Sequence, residues 1–226
     1  MKNCINIKSN QNAKLYKLQG EKMKKFYITC LIFMSTLIAA EVDLTTDQCE
    51  ATNDISTEKV FTKDFSGTFN GQKLNYTASL KEKILYEKDN PKAELASFYY
   101  SEYIVSSDEN RPIMFIFNGG PGSASLWLHM GVLGPKIVKV PSDASDDGSP
   151  PYNIIDNNLS PLSETDMVFI DPIGTGYSRA LGCHDGEEFW GVNEDPKIIA
   201  EFIRRWITDN KRWNSPRYIL GESYGG

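Results

Sequence analysis

From Phe65 onward the apolar positions fall into short runs separated by turn residues, with one longer run at helical spacing. The stretch "FSGTFNGQKLNYTASLKEKILYEK" (65–88) places β-rich segments on either side of Asn70-Gly71, a dipeptide that predicts a hairpin turn. "SFYYSEYIV" (97–105) continues with aromatic and β-branched residues. "PIMFIF" (112–117) is almost continuously apolar and ends in glycines, as a strand buried on both faces of a parallel sheet would. "DMVFID" (166–171) and "RYILG" (217–221) read as two more buried strands. Between them, "NEDPKIIAEFIRRWITDN" brings Ile198, Ile199, Phe202, Ile203, Trp206 and Ile207 to one helical face, with Asn193 as the cap and Pro196 in the first turn. The Pro/Ser/Asp/Gly cluster at 141–153 is a surface loop. Strand, helical segment, strand, helix, strand is the order of an α/β fold with a central, mostly parallel sheet.

Upstream of this domain the pattern is different. Residues 41–64 mix acids and threonines with few bulky apolar residues and predict an exposed N-terminal arm. Met23-Lys24-Lys25, the apolar run Phe26 to Ile38 and the small residues Ala39-Ala40 together predict a signal peptide over 23–40. Residues 1–22, polar and lysine-rich without apolar periodicity, then read as a non-native upstream extension from a miscalled start. The alternative is a signal anchor, which needs a longer apolar stretch. On the signal-peptide reading the protein is secreted or periplasmic and keeps no stable membrane association after cleavage.

Composition narrows the field. With 226 residues, 40% of them hydrophobic, the chain can bury one sizeable core. A formal charge of −6 and the lack of a Lys/Arg cluster beyond residue 41 argue against nucleic acid as a partner. Cys4 and Cys30 lie in the part expected to be removed, leaving Cys49 and Cys183. An exported chain can pair them, but two cysteines make no framework pattern and the question stays open. Metal-ligand spacing is absent, and no cofactor is implied.

The chemistry gathers at glycines. Gly221-Glu222-Ser223-Tyr224-Gly225 is a G-x-S-x-G pattern led into by a strand, the turn that exposes a nucleophilic serine in α/β-hydrolases. A tight glycine turn with an incidental serine would read the same way on its own. Acyl transfer to a serine also needs backbone N–H donors for the developing oxyanion, one from the residue after the serine and one from a loop after an earlier strand. "FNGGPGSAS" (117–125) follows the strand 112–117 at that place, and its adjacent glycines allow close backbone approach.

The blocks "FIFNGGPGSAS", "MVFIDPIGTGYSRA" and "YILGESYGG" together resemble, in order and spacing, the signature blocks of the serine carboxypeptidase family, and residues 189–226 look most like its bacterial branch. The resemblance implies an α/β-hydrolase fold over 65–226 and removal of C-terminal residues from peptides bearing a free carboxylate. It makes Ser223 the nucleophile, with Gly120 and Tyr224 as the oxyanion donors. It makes Asn118, Gly119 and Glu222 the groups that bind the substrate's terminal carboxylate. A glutamate beside a carboxylate is repulsive unless the two share a proton, so peptide binding should tighten as pH falls.

Two positions depart from the better-known pattern of the family. Val132 stands where a second carboxylate-binding glutamate is common, and Ser123 where a cysteine follows Gly-Gly-Pro-Gly. Asp171 reads as a structural acid on a glycine turn, and His129 and His184 as hydrogen-bonded core or surface residues. In this fold the order is serine, acid, histidine, so none of the three fits as a triad partner. The expectation is therefore an incomplete chain that ends before its acid and base and is inactive as it stands. An acyltransferase or esterase on the same scaffold, and a peptide-binding pseudoenzyme, are the alternatives.

Overall fold

The computed structural model describes residues 57–106, 110–141, 143, 145 and 150–226. The expected signal peptide, the upstream extension and most of the arm lie outside the described residues.

The hairpin forms as the sequence predicts. Strands β1 (Val60–Phe69) and β2 (Gln72–Tyr86) pair antiparallel with Phe69 opposite Gln72. Asn70 and Gly71, at φ 48° and 80°, make the two-residue turn whose backbone twist matches that of the strands. β1 begins inside the stretch expected to be an arm. Residues 60–64 are exposed as expected, but they are laddered to β2.

Strand β3 (Glu94–Val105) pairs antiparallel with β2, and β4 (Ile113–Phe117) follows. The connection after β4 holds a single short turn of helix, α1 (Leu126–Leu128), running into a π turn over His129–Leu133. A small antiparallel pair unannounced by the sequence pattern, β5 (Lys136–Val138) with β6 (Ile154–Asp156), brackets the surface loop. Next come β7 (Asp166–Ile170), the two-residue β8 (Arg179–Ala180), helix α2 (Glu194–Asp209) and β9 (Arg217–Gly221).

The main sheet runs β1-β2-β3-β7-β4-β9, with β8 paired to β3. β7, β4 and β9 are mutually parallel, and β3 joins them antiparallel. A strand hairpin joined to a parallel sheet, with a sharp turn after β9, fits the α/β-hydrolase arrangement of this part of the fold.

Both faces of the central strands are covered, which is why they read as continuous apolar runs. Phe115, Val168 and Ile170 look toward α2, while Ile116, Met167 and Phe169 look the other way. On the α2 side the Phe202 ring meets Phe98 and Tyr100, each at 5.0 Å, and Trp206 meets Phe115 edge-on at 5.4 Å. Each such side chain contributes about 1.5–3 kcal/mol on burial. Leu128 and Leu133 of the α1 segment pack on the opposite face. Two expectations need correction. Asn193 makes no side-chain capping bond; instead Asp195 in the first turn accepts from the Gly191 N–H. β9 is an edge strand among the described residues, with Tyr218 and Ile219 55% and 66% exposed, because only β4 pairs with it.

At the amino end of β7 the buried Asp166 carboxylate takes Arg111 on one oxygen at 3.1 Å and both terminal nitrogens of Arg212 on the other at 3.0 Å. The Val105 N–H adds a fourth bond at 3.0 Å. This cluster locks β3, β7 and the loop before β9 at the end of the sheet away from the glycine turns. The carboxyl ends of β4, β7 and β9 are left to build the site, as is usual for open parallel sheets.

Candidate active site

Parallel pairing of β4 with β9 puts Phe117 opposite Gly221, so the two glycine-rich turns leave the sheet side by side. Glu222 N–H donates to Phe117 O at 3.3 Å and keeps the turns together for one residue more. The chain then reverses. Ser223 has φ 57°, a left-handed conformation that costs a non-glycine residue about 1–3 kcal/mol and persists only where its surroundings enforce it. Its flanking glycines supply that enforcement. A Cβ on Gly221 would lie 1.8 Å from Gly225 O, and one on Gly225 would lie 3.1 Å from Phe117 O. The G-x-S-x-G spacing is thus a steric requirement of a backbone that folds onto itself and onto β4.

Gly119 sits in the crook of this turn. A Cβ there would fall 2.5 Å from Tyr224 N and 2.6 Å from Glu222 O and Gly225 N. The two backbones therefore meet in contact too close for any side chain. Gly120 follows at φ 116°, a region that L-residues avoid. The Asn118 side chain joins both halves: its amide donates to Glu222 Oε2 at 3.3 Å, and its Oδ1 accepts from the Leu128 N–H at 3.0 Å. Asn118, Gly119, Glu222 and Tyr224 are thereby brought together, with Ser223 and Gly120 one residue from that contact.

Behind the loop, Ser125 is fixed to β7. Its N–H donates to Asp171 Oδ1 at 2.8 Å and its hydroxyl to Ile170 O. Burial pushes the Asp171 carboxyl above its ordinary range, and the Ser125 N–H pulls it partly back. Asp171 props the glycine loop and touches nothing on the serine turn. The sequence suggested an acid on its own glycine turn; Gly176 does pack against its carboxylate, and the bond to Ser125 is an addition that no local pattern shows.

The histidines are both engaged elsewhere. His129 Nε2 bonds the Tyr103 hydroxyl at 2.6 Å and its ring stacks on Phe169 at 4.5 Å; burial pushes it down to about 4. His184 lies between Glu188 at 2.8 Å and Glu87 at 2.9 Å, and these carboxylates push it up. Neither contacts Ser223 among the described residues. Val132 is exposed in the π turn and offers only its carbonyl, to Asn157. Ser123 donates its N–H to Gly119 O, closing the loop. Cys183 is held in a disulfide; Cys49 lies outside the described residues.

A profile of the serine carboxypeptidase family matches residues 71–226, well over half the chain and all of the elements just described from the hairpin turn onward. The chain belongs to the serine carboxypeptidase family. Relatives include serine carboxypeptidase-like 5 of Arabidopsis thaliana, 28% identical over 59% of this chain and 30% of that protein. Serine carboxypeptidase-like 15 of the same plant is 28% identical over 60% and 30% respectively. This serine carboxypeptidase chain therefore spans about a third of the length of the curated relatives it matches. A predicted CIB-like hydrolase from Thermoplasma acidophilum superposes with a TM-score of 0.33 at 19% identity, over 65% of this chain and 53% of that one. Agreement of that size adds nothing to the topology.

Within this candidate site a further contact escaped the sequence. The Tyr224 hydroxyl donates to Asp195 Oδ2 at 3.0 Å, tying the serine turn to α2. The only local signal was an acid in the first turn of a helix, which ordinarily means a favourable helix dipole and nothing more.

Proposed function

We propose that this chain carries the nucleophile and oxyanion hole of a serine-type carboxypeptidase that removes C-terminal residues from peptides through an acyl-enzyme. The observation that carries the reading is Ser223 in the left-handed conformation with Gly119 packed against Tyr224 N, because it brings the glycine loop after β4 against the backbone of the residue that follows the serine. Ser223 Oγ attacks the scissile carbonyl, its proton passing to a histidine base. The N–H groups of Gly120 and Tyr224 stabilise the oxyanion, and on its collapse the histidine gives that proton to the scissile nitrogen, so the C–N bond breaks and the C-terminal residue leaves as a free amine. Water, activated by the same base, then hydrolyses the ester. Asn118, Gly119 and Glu222 bind the departing residue's carboxylate, sharing a proton between Glu222 and the substrate. On this reading a histidine base and its acid partner complete the site, and neither His129 nor His184, each bonded elsewhere, is that base. Without its base a serine enzyme loses about four to six powers of ten in rate.

The same reading places the protein outside the reducing cytosol, where the Cys183 disulfide would persist. No helix among the described residues is long and apolar enough to cross a membrane. The test is to read the gene past codon 226 and express the whole carboxypeptidase. A fluorophosphonate should label it at Ser223, labelling should vanish in Ser223→Ala, and peptides amidated at their C-terminus should be poor substrates. A folded enzyme that ignores the reagent, or cleaves amidated peptides equally well, overturns the proposal.

A further inference from the structure

The residue after the nucleophile is held by its side chain to a separate element. Asp195 Oδ2 accepts from the Tyr224 hydroxyl at 3.0 Å, 29 residues away, and from the Gly191 N–H at 3.3 Å. The carboxylate stands on a closed turn: the N–H groups of Glu194 and Asp195 both donate to Gly191 O, at 3.2 and 3.0 Å. Gly191 holds this turn at φ 134°, a backbone conformation that L side chains rarely adopt. Asp195 is thus a fixed anchor, whereas Tyr224 is 36% exposed and its ring is not held by burial. A helix-terminal role for Asp195 accounts for the bond to Gly191 but not for the one to the phenol.

We propose that Asp195 is a positioning residue for the oxyanion hole: by holding the Tyr224 phenol it fixes the Ser223–Tyr224 peptide plane, and so the direction in which the Tyr224 N–H points. The side chain and the backbone nitrogen are bonded to the same Cα, so a ring pinned at its far end restricts rotation of the peptide before it. Gly119 restricts the same peptide through its contact with Tyr224 N. The N–H is held between an anchor on α2 and the loop after β4. This inference rests on the serine-hydrolase reading above.

The experiment uses the whole carboxypeptidase, with active sites counted by fluorophosphonate so that misfolded protein is excluded. Since loss of an oxyanion donor costs about 10²–10³ in kcat, loosening one should cost about tenfold. Tyr224→Phe and Asp195→Ala should each lower kcat per active site by that factor with KM unchanged, and the double variant should be no worse than either single one. Asp195→Asn, whose amide oxygen still accepts from the phenol, should recover most of the rate. Wild-type kcat in Tyr224→Phe, or single effects that multiply in the double variant, overturns the proposal. If the enzyme shows no Ser223-dependent turnover, the functional reading itself fails, and 15N relaxation on the 226-residue chain decides the anchor instead. The Tyr224 amide order parameter should fall from about 0.85 to below about 0.6 in Asp195→Ala; an unchanged value overturns it.

Discussion

Replacing Gly119 by alanine tests the site at its tightest point. The added methyl would lie 2.5 Å from Tyr224 N and 2.6 Å from Glu222 O and Gly225 N. All three are backbone atoms on a strained turn, so no side chain can swing away. Ordinary contact is about 3.5–4.0 Å, so the loop after β4 and the serine turn must part by about 1 Å. A displacement of about 1 Å at a reacting centre costs about 10²-fold in rate, and loss of one oxyanion donor about 10²–10³-fold. The overpacking should also cost about 1–3 kcal/mol of stability. The assay is kcat of the whole carboxypeptidase on a short peptide, per fluorophosphonate-titrated site, with urea unfolding alongside. Gly131→Ala is the control, since nothing lies within 4 Å of its Cβ position. It should leave kcat unchanged. A Gly119→Ala enzyme that turns over like the wild type would refute the claim that this contact sets the oxyanion geometry.

Asp166→Asn should lower stability by about 3–5 kcal/mol in urea unfolding, because two guanidiniums lose a buried counter-charge; a loss under about 1 kcal/mol would reduce the cluster to an ordinary surface pair. The histidines give opposite pH signatures. His129, held near 4 in the fold against 6.5 when unfolded, contributes about 3 kcal/mol that is present above pH 6.5 and lost as pH falls toward 4. His184 is raised by Glu188 and Glu87, so its contribution is complete below the ordinary histidine value and lost as pH rises through its folded one. Urea midpoints across pH 4–9 should show both slopes, and His184→Gln should flatten only the alkaline one. In the whole enzyme, KM for peptides should rise with pH, and Glu222→Gln should make it nearly flat; a KM indifferent to pH would exclude the shared proton.

Much of the site was legible because its requirements are local. Asn70-Gly71 fixed a two-residue turn, the glycines around Ser223 fitted a backbone that reverses on itself, and buried runs marked β4 and β7. Asn193 was misread because the N–H groups a side-chain cap would accept from are already spent: Glu194 and Asp195 both donate to Gly191 O, and Pro196 has none. β5 and β6 escaped because three-residue strands beside a polar loop carry no periodicity. Asp171 and Asp195 gave no hint of what they touch, since each acts on a partner 46 or 29 residues away.

What the sequence by itself determined is the hairpin, the strands of the main sheet that carry apolar runs, the long helix, the tight turn around Ser223 and the glycine loop. Those follow from periodicity, turn chemistry and spacing, which act over a few residues. Only the tertiary structure decided that β4 lies between β7 and β9, and hence that Asn118 reaches Glu222 across 104 residues and Gly119 enters the serine turn. Strand order is set by which faces can be buried together, and that balance involves the whole sheet at once.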